Sequence, residues 1–535
     1  MQFDYVVVGA GSAGCAVASR LSEDGRYTVA VLEAGGKDSN PWIHIPVGYF
    51  KTMGNPRTDW QYVTAADEGI NGRAIPWPRG KVLGGSSSIN GLLYVRGQAE
   101  DFDHWRQLGN AGWAWKDVLP FFKKAETWHG DEEDPEEMRG RDGPLSVSPT
   151  RLSREIVDHW VEAAVNAGYK RNPDYNGSDQ EGVGYFQLTS HKGRRCSSAV
   201  AYLKPARGRK NLTVITRAQC EKLLFTEGKV TGLKALINGK STEITVKREV
   251  ILSAGAIGSP QILMVSGIGD VDELKSHGIE MVAEVPGVGK NLQDHLQARP
   301  IFKTDLSTIN IETNNLFKQA LIAAQYAWNR TGPMTMAASL GTAFLKTEEH
   351  LATPDIQFHI QPFSADRAVD GTHPFSAFTA SVLQMRPESA GHLKLTSANI
   401  LDYPEIHPNY LATELDQRTI VKGIQIARRI ATFEPLKSHV TEEHAPGAGV
   451  PVEDYEATLN WARDTAVTIY HPTGTCKMGQ DDMAVVDERL RVRGVRGLRV
   501  ADASIMPVIT SGNTNAPSIM IGEKVSHMVL EDAVA

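Results

Sequence analysis

The tightest constraint on this chain lies in its first 33 residues. An apolar run, Phe3-Asp-Tyr-Val-Val-Val8, ends in Gly9-Ala-Gly11-Ser-Ala-Gly14; Ser12 to Glu23 then reads as a helix and Thr28-Val-Ala-Val-Leu-Glu33 as a second strand. Strand, glycine turn, helix and strand make one βαβ unit, the start of a doubly wound sheet. Glycines there permit the tight turn, the approach of backbone to a pyrophosphate and the close packing of helix on sheet. The helix N-terminus supplies unpaired N–H groups and partial positive charge to phosphates. Glu33 ends the second strand, where its carboxylate accepts hydrogen bonds from ribose hydroxyls and repels a 2′-phosphate. The unit predicts a bound dinucleotide and leaves FAD and NAD equally open.

At 535 residues the chain is too long for one hydrophobic core. Glu249-Val-Ile-Leu-Ser253 and Leu498-Arg-Val-Ala-Asp502 read as further buried strands, so the nucleotide domain is expected to be discontinuous. Between them, Leu152 to Gly168 reads as helical and Glu414 to Ala431 as a long amphipathic helix, while Pro354 to His359 and Ala377 to Met385 alternate like strands of a half-buried sheet. The expected class is α/β: a Rossmann-like nucleotide domain from segments 1–150, 196–300 and 456–535, and a second domain from 151–195 and 301–455, built on an antiparallel sheet flanked by helices.

A net charge of -7 offers no basic excess for nucleic acid. Cys15, Cys196, Cys220 and Cys476 lie far apart, signalling neither a metal site nor a disulfide framework, which suits a reducing compartment. The first strand begins almost at the initiator methionine, which disfavours a secretory leader and predicts a cytoplasmic location. No apolar run reaches the roughly 18 to 20 residues needed to cross a bilayer. The stretch Ala320 to Trp328 is short and interrupted by Gln325, so contact with the inner membrane is expected to be peripheral if it occurs. The acidic run Asp131 to Glu137 lacks the spaced ligands of a calcium loop and reads as solvated surface.

Two later segments separate the flavin from the nicotinamide reading. Arg79-Gly-Lys-Val-Leu-Gly84-Gly85-Ser86-Ser-Ser-Ile89-Asn90-Gly91 sets paired glycines before hydroxyl residues and an amide, and Gly255-Ala-Ile-Gly258-Ser259-Pro260 runs into an apolar helix ended by Gly267. With Pro286 to His295, His471-Pro-Thr-Gly-Thr-Cys-Lys-Met-Gly479, Val500 to Pro507, and Ser511-Gly-Asn513-Thr-Asn515-Ala-Pro517, these resemble the glucose-methanol-choline oxidoreductases over essentially the whole chain. The resemblance implies FAD. Gly9, Gly11, Gly14 and Glu33 would hold its ADP half, and the Cys220 backbone would face the adenine. Gly84, Gly85, Asn90 and Gly91 would run along the flavin and phosphates, Asp502 and Ala503 would hold the pyrophosphate and ribityl portion, and Asn515 and Pro517 would close the pyrimidine end. For Asp502 a plain helix N-cap is the competing reading.

It also implies oxidation of a primary alcohol, aliphatic, polyol or aryl, to the aldehyde. Hydride leaves an alcohol carbon more readily once the hydroxyl proton is departing, so a base must sit within hydrogen-bond reach. The resemblance casts His471 in that role, and its ordinary pKa of about 6.5 suits it. Pro472 biases the backbone of His471 toward extended or turn geometry. Asn515 would orient the substrate oxygen without competing for its proton. Ile89 stands where choline oxidases carry the histidine bonded to flavin, which implies non-covalent FAD; Leu340 stands where a short local alignment puts the glutamate that meets the trimethylammonium group. The electron acceptor, whether oxygen with release of peroxide, a quinone or another carrier, and the oligomeric state are left open. Rival readings are a hydroxynitrile lyase, an NAD-dependent dehydrogenase and a nucleotide-binding module without catalysis.

Overall fold

The computed structural model describes residues 1–131, 137–366 and 371–534. Most of the acidic run Asp131 to Glu137 therefore lies outside the described residues.

Strand β1 (Gln2–Val8), helix α1 (Ser12–Leu21) and strand β2 (Val29–Glu33) form the opening unit. All five residues of β2 are buried, as expected of a parallel strand covered on both faces. β2 pairs in parallel with β1 and, on its other side, with Leu212–Thr216. β1 pairs in parallel with the far longer β3 (Lys240–Leu252). The first half of β3 turns back through an antiparallel meander, Lys229–Ile237 and Ala218–Thr226. From the end of β3 the chain enters α2 (Gly255–Val265), whose apolar middle is buried.

A second, eight-stranded sheet holds the short strand β4 (Leu296–Ala298). After helix α3 (Leu316–Asn329) come its central strands β5 (Ile356–Gln361) and β6 (Ala377–Gln384), then helix α4 (Glu414–Ile430). Every residue of β6 is buried, so the half-buried alternation expected from sequence gives way to burial on both faces. One face is covered by α4, where Gly423 lets the helix approach Val382; on the other, Leu383 joins a smaller apolar cluster with Leu93, Phe186 and Ile469. Along β5 the split is plain: Ile356, Phe358 and Ile360 join the helix-side core, whereas His359 and Gln361 face the cavity.

The chain then returns to the first sheet. β7 (Leu498–Val500) pairs in parallel with the last residues of β3, and α5 (Asn515–Asp532) packs on α1. At that crossing Gly522 lies so close to Ala13 that a Cβ would fall 2.6 Å from its carbonyl oxygen, and Arg20 pairs with the buried Glu523 at 2.8 Å. The carboxyl ends of β1, β2, β3 and β7 thus deliver Gly9, Glu33, Ser253 and Asp502 to one crevice, the place where open parallel sheets bind ligands.

Candidate active site

The cavity between the two sheets has a volume of about 1140 Å³, ample for a dinucleotide cofactor and a small substrate. Its nucleotide side is built from helix starts: Ser12 and Ala13 of α1, Gly255 to Gly258 of α2, and Thr514 with Asn515 at the head of α5. Gly11 tests whether a ligand belongs there. Its φ of -81° suits any residue, and a Cβ would come no nearer to protein than 3.7 Å from Ser253 O, so neither conformation nor packing demands glycine. Gly11 does border the cavity, and a Cβ there would enter the space in which phosphates would approach the helix N-terminus. Gly14 serves the protein itself: a Cβ would fall 1.9 Å from Gly9 O.

Glu33 is buried and accepts from the N–H groups of Ala10 at 3.1 Å and Gly35 at 2.8 Å; burial pushes it up to about 7 despite those bonds. Asp502 caps the 3-10 turn Ala503–Ile505 through Ser504 N–H and also accepts from Gly255 N–H and Ser259 Oγ. The N-cap reading is therefore realised, while Asp502 and Ala503 both border the cavity. Gly9, Gly85, Gly91 and Cys220 line it too, whereas Gly14, Gly84 and Pro517 stand behind its wall. Asn90 accepts at Oδ1 from Arg195, a fully buried guanidinium that also donates to the carbonyls of Ile43, Ser87 and Asn90. Nothing in the sequence motifs pointed to Arg195, because its partners, three main-chain oxygens and the Asn90 amide, are brought in by the tertiary fold.

The side of the cavity that carries His471 rests on one antiparallel pairing. Leu296 of β4 sits opposite Thr468, which carries His295 and His471 into contact although 176 residues separate them. His295 Nε2 lies 2.7 Å from the Met385 carbonyl, which only accepts, so His295 donates there and its Nδ1 is bare. His471 Nδ1, 3.0 Å away, must then carry the proton that it donates to His295, leaving the lone pair on His471 Nε2. That nitrogen borders the cavity and accepts from Asn513 Nδ2 at 3.1 Å. Asn513 is held in this orientation by Gln357, whose amide is placed to donate to its Oδ1. Asp294 anchors the loop below, accepting the His471 N–H at 2.7 Å and the hydroxyls of Thr468 and Tyr410.

The amide beside His471 is thus Asn513, not Asn515. Asn513 precedes the helix and turns back to the imidazole; Asn515 is the first helical residue of α5 and accepts from Ser12 Oγ at 2.8 Å, at the glycine turn. The Asn-Thr-Asn spacing offered no way to choose between them. His295, Asp294 and Asn513 all lie inside motifs that sequence reading singled out, but their roles depend on partners far along the chain. Leu340 is fully buried in the helix-side core and does not border the cavity, so it holds no position from which to meet a substrate; Gln297 on β4 and Arg299, the residue just past its end, do.

Burial holds His471 well below the ordinary histidine range, with the neighbouring His295, His359 and Arg79 acting in the same direction. Burial also takes His295 down to about 4 and His359 to about 3. Both folded values lie under the unfolded value of about 6.5, so only the unfolded chain takes up these protons as pH falls from 6.5 toward 4, and stability is lost across that window. Glu33, raised in the fold, works in the opposite sense near neutrality. Comparison with a variant isolates the histidine: His359→Phe is expected to lose about 2 kcal/mol less than the parent between pH 7 and pH 5 in urea unfolding. Equal losses would show that His359 protonates as readily folded as unfolded.

Family models described as GMC oxidoreductase match residues 3–297 and 387–522. The alcohol dehydrogenase (acceptor) of Pseudomonas putida is 40% identical over 531 residues, covering 99% of this chain and 96% of the relative. The mitochondrial choline dehydrogenase of Homo sapiens is 42% identical over 544 residues, covering 99% and 90%. Among solved structures, pyridoxine 4-oxidase from Mesorbium loti superposes with a TM-score of 0.88 at 30% identity, covering 98% of each chain. The formate oxidase of Aspergillus oryzae does so with a TM-score of 0.92 at 28% identity, covering 99% and 98%.

Proposed function

Since this chain belongs to the GMC oxidoreductase family and is an FAD-dependent enzyme acting on CH–OH groups, we propose that it converts a primary alcohol to the aldehyde with His471 as base and Asn513 as the group that orients the substrate oxygen. The observation that carries this reading is the run of hydrogen bonds from Met385 through His295 to His471, which leaves a bare imidazole nitrogen facing the cavity.

Bound FAD would supply the acceptor for the hydride that leaves the carbinol carbon. The residues of the chain do the rest. A substrate hydroxyl entering the cavity takes the place of the Asn513 N–H at His471 Nε2 and donates its proton there, while Asn513 turns its N–H to the substrate oxygen. His295 accepts throughout from His471 Nδ1, which keeps the ring in one tautomer and one orientation. Because burial favours neutral His471, the base is present at neutral pH. Gly11, Glu33, Gly85, Asn90 and Asp502, which line the cavity, would hold the cofactor, and Arg195 positions the Asn90 loop. Ile89 offers no nucleophile for a bond to flavin, so acid precipitation is expected to leave the yellow colour in solution; colour in the pellet would refute non-covalent binding.

The far wall sets the substrate class. Gln297 of β4 and Arg299 just past its end border the cavity with Gln361 of β5, and Tyr49 and Tyr470 lie within electrostatic reach of Arg299. The Arg299 guanidinium donates to the Asp366 carbonyl at 3.2 Å and adds positive charge to this wall, offset only in part by the Asp366 carboxylate, whose side chain is 79% exposed and screened by water. A cationic alcohol is repelled there and a neutral or polyhydroxylated one is not. Anaerobic mixing with primary alcohols, polyols and choline tests this: neutral alcohols should bleach the flavin, with choline at least roughly tenfold poorer in kcat/KM. Choline as the best substrate would overturn this assignment, and flavin bleached by no alcohol would sink the redox reading altogether.

A further inference from the structure

Among the described residues, no helix is long and apolar enough to cross a membrane. Helix α3 is nonetheless unusual. Of its fourteen residues only Tyr326 is buried, and Leu316, Phe317, Leu321 and Trp328 are 82%, 73%, 56% and 90% exposed. At 100° per residue these four fall within an arc of about 140°, and the alanines between them widen it only to about 160°. Large apolar side chains gathered on one helix face do not stay in water without cause.

Charge identifies what covers them. From Gly182 to Cys220 the chain has no Asp or Glu and eight Lys or Arg, and from Thr313 to Thr347 again no acid, in a protein whose net charge is -7. The fold joins these two acid-free stretches at α3. Tyr326 Oη donates to the Gly193 carbonyl at 3.0 Å, the Arg330 guanidinium lies 4.8 Å over the Tyr326 ring, and Arg194 is near enough to act on the same phenol. Lys192 and Arg194 are exposed on the hairpin so docked. An apolar stripe of Leu, Phe and Trp rimmed by Lys and Arg is the composition of a helix that lies in a lipid interface.

We propose that α3, with the basic hairpin around Gly193, docks this protein on the surface of an anionic bilayer. A second copy fits less well, because a twofold contact through α3 would bring the Arg194 and Arg330 pairs together with no acid in either stretch to offset them. The docked face adjoins the active-site cavity: α3 leads into the turn Pro333–Thr335, which packs on Pro46–Gly48, and the next residues, Tyr49 and Phe50, line the cavity.

Sedimentation of the holoenzyme with sucrose-loaded vesicles tests the proposal, using phosphatidylcholine alone and phosphatidylcholine mixed with phosphatidylglycerol. The parent is expected to pellet with the mixed vesicles and to be released by salt. Combining Phe317→Glu, Leu321→Glu and Trp328→Glu should reduce binding by at least roughly tenfold while flavin content and turnover in solution stay as in the parent. Lys192→Glu with Arg194→Glu should weaken binding to the mixed vesicles and leave the small binding to phosphatidylcholine unchanged. The proposal falls if the parent stays in the supernatant with the mixed vesicles or if the triple-glutamate variant pellets as the parent does. It falls equally if sedimentation velocity shows a parent dimer that the triple variant splits, since a second copy would then cover the face.

Discussion

Replacing His471 with alanine should slow the anaerobic reduction of bound flavin by an alcohol by roughly 10² to 10⁴. The expectation follows from where the proton can go. His471 Nε2 is the bare nitrogen of a histidine pair whose other hydrogen bonds are already assigned, and it faces the cavity. His359 also borders the cavity, but burial takes it to about 3, too weak a base to substitute. Asn513→Ala should cost less, roughly tenfold to a hundredfold, because it removes a hydrogen bond to the substrate oxygen and not the proton acceptor. Asn515→Ala should disturb flavin retention more than the chemical step, since that amide is bonded to Ser12 at the glycine turn. A stopped-flow reduction rate unchanged in the His471 variant would remove the histidine from the mechanism, and a larger loss from Asn515→Ala than from Asn513→Ala would restore Asn515 as the orienting amide. Because His471 lies below the ordinary histidine value, the reduction rate of the parent should hold level from pH 8 to near pH 6.5 and fall only at lower pH.

The second large effect separates two glycines that the motif alone treats alike. Gly11→Ala places a Cβ where the nearest protein atom is 3.7 Å away, so the apoprotein should fold as before. That Cβ occupies the phosphate side of the cavity, and overpacking of about 1 to 3 kcal/mol there weakens FAD binding by roughly 10 to 10² in Kd. Gly14→Ala puts its Cβ 1.9 Å from Gly9 O, between α1 and the turn, and so damages the fold before any cofactor arrives. Flavin titration of refolded apoprotein, read beside circular dichroism, distinguishes the cases. Full flavin affinity in a folded Gly11→Ala protein would mean that no phosphate approaches this turn.

The opening βαβ unit was legible because its information is local. Apolar runs, glycines at fixed offsets and an acid at a strand end are imposed by the turn, the helix N-terminus and the ligand within about thirty residues. Strand β2, helix α4 and the return of Leu498–Val500 to the first sheet were visible for the same reason. The two faces of β6 were not: eight consecutive buried residues look like alternation until the helix on one side and the apolar cluster on the other are known.

By itself, the sequence determined the nucleotide crevice, the discontinuous sheet around it and the loop position of His471, each encoded by neighbours in the chain. Only the tertiary structure decided which asparagine meets that histidine, which tautomer His295 imposes on it and which guanidinium steadies the Asn90 loop. These partners lie 42, 176 and 105 residues apart, and hydrogen bonds between them depend on strand register and side-chain direction, which no local pattern records.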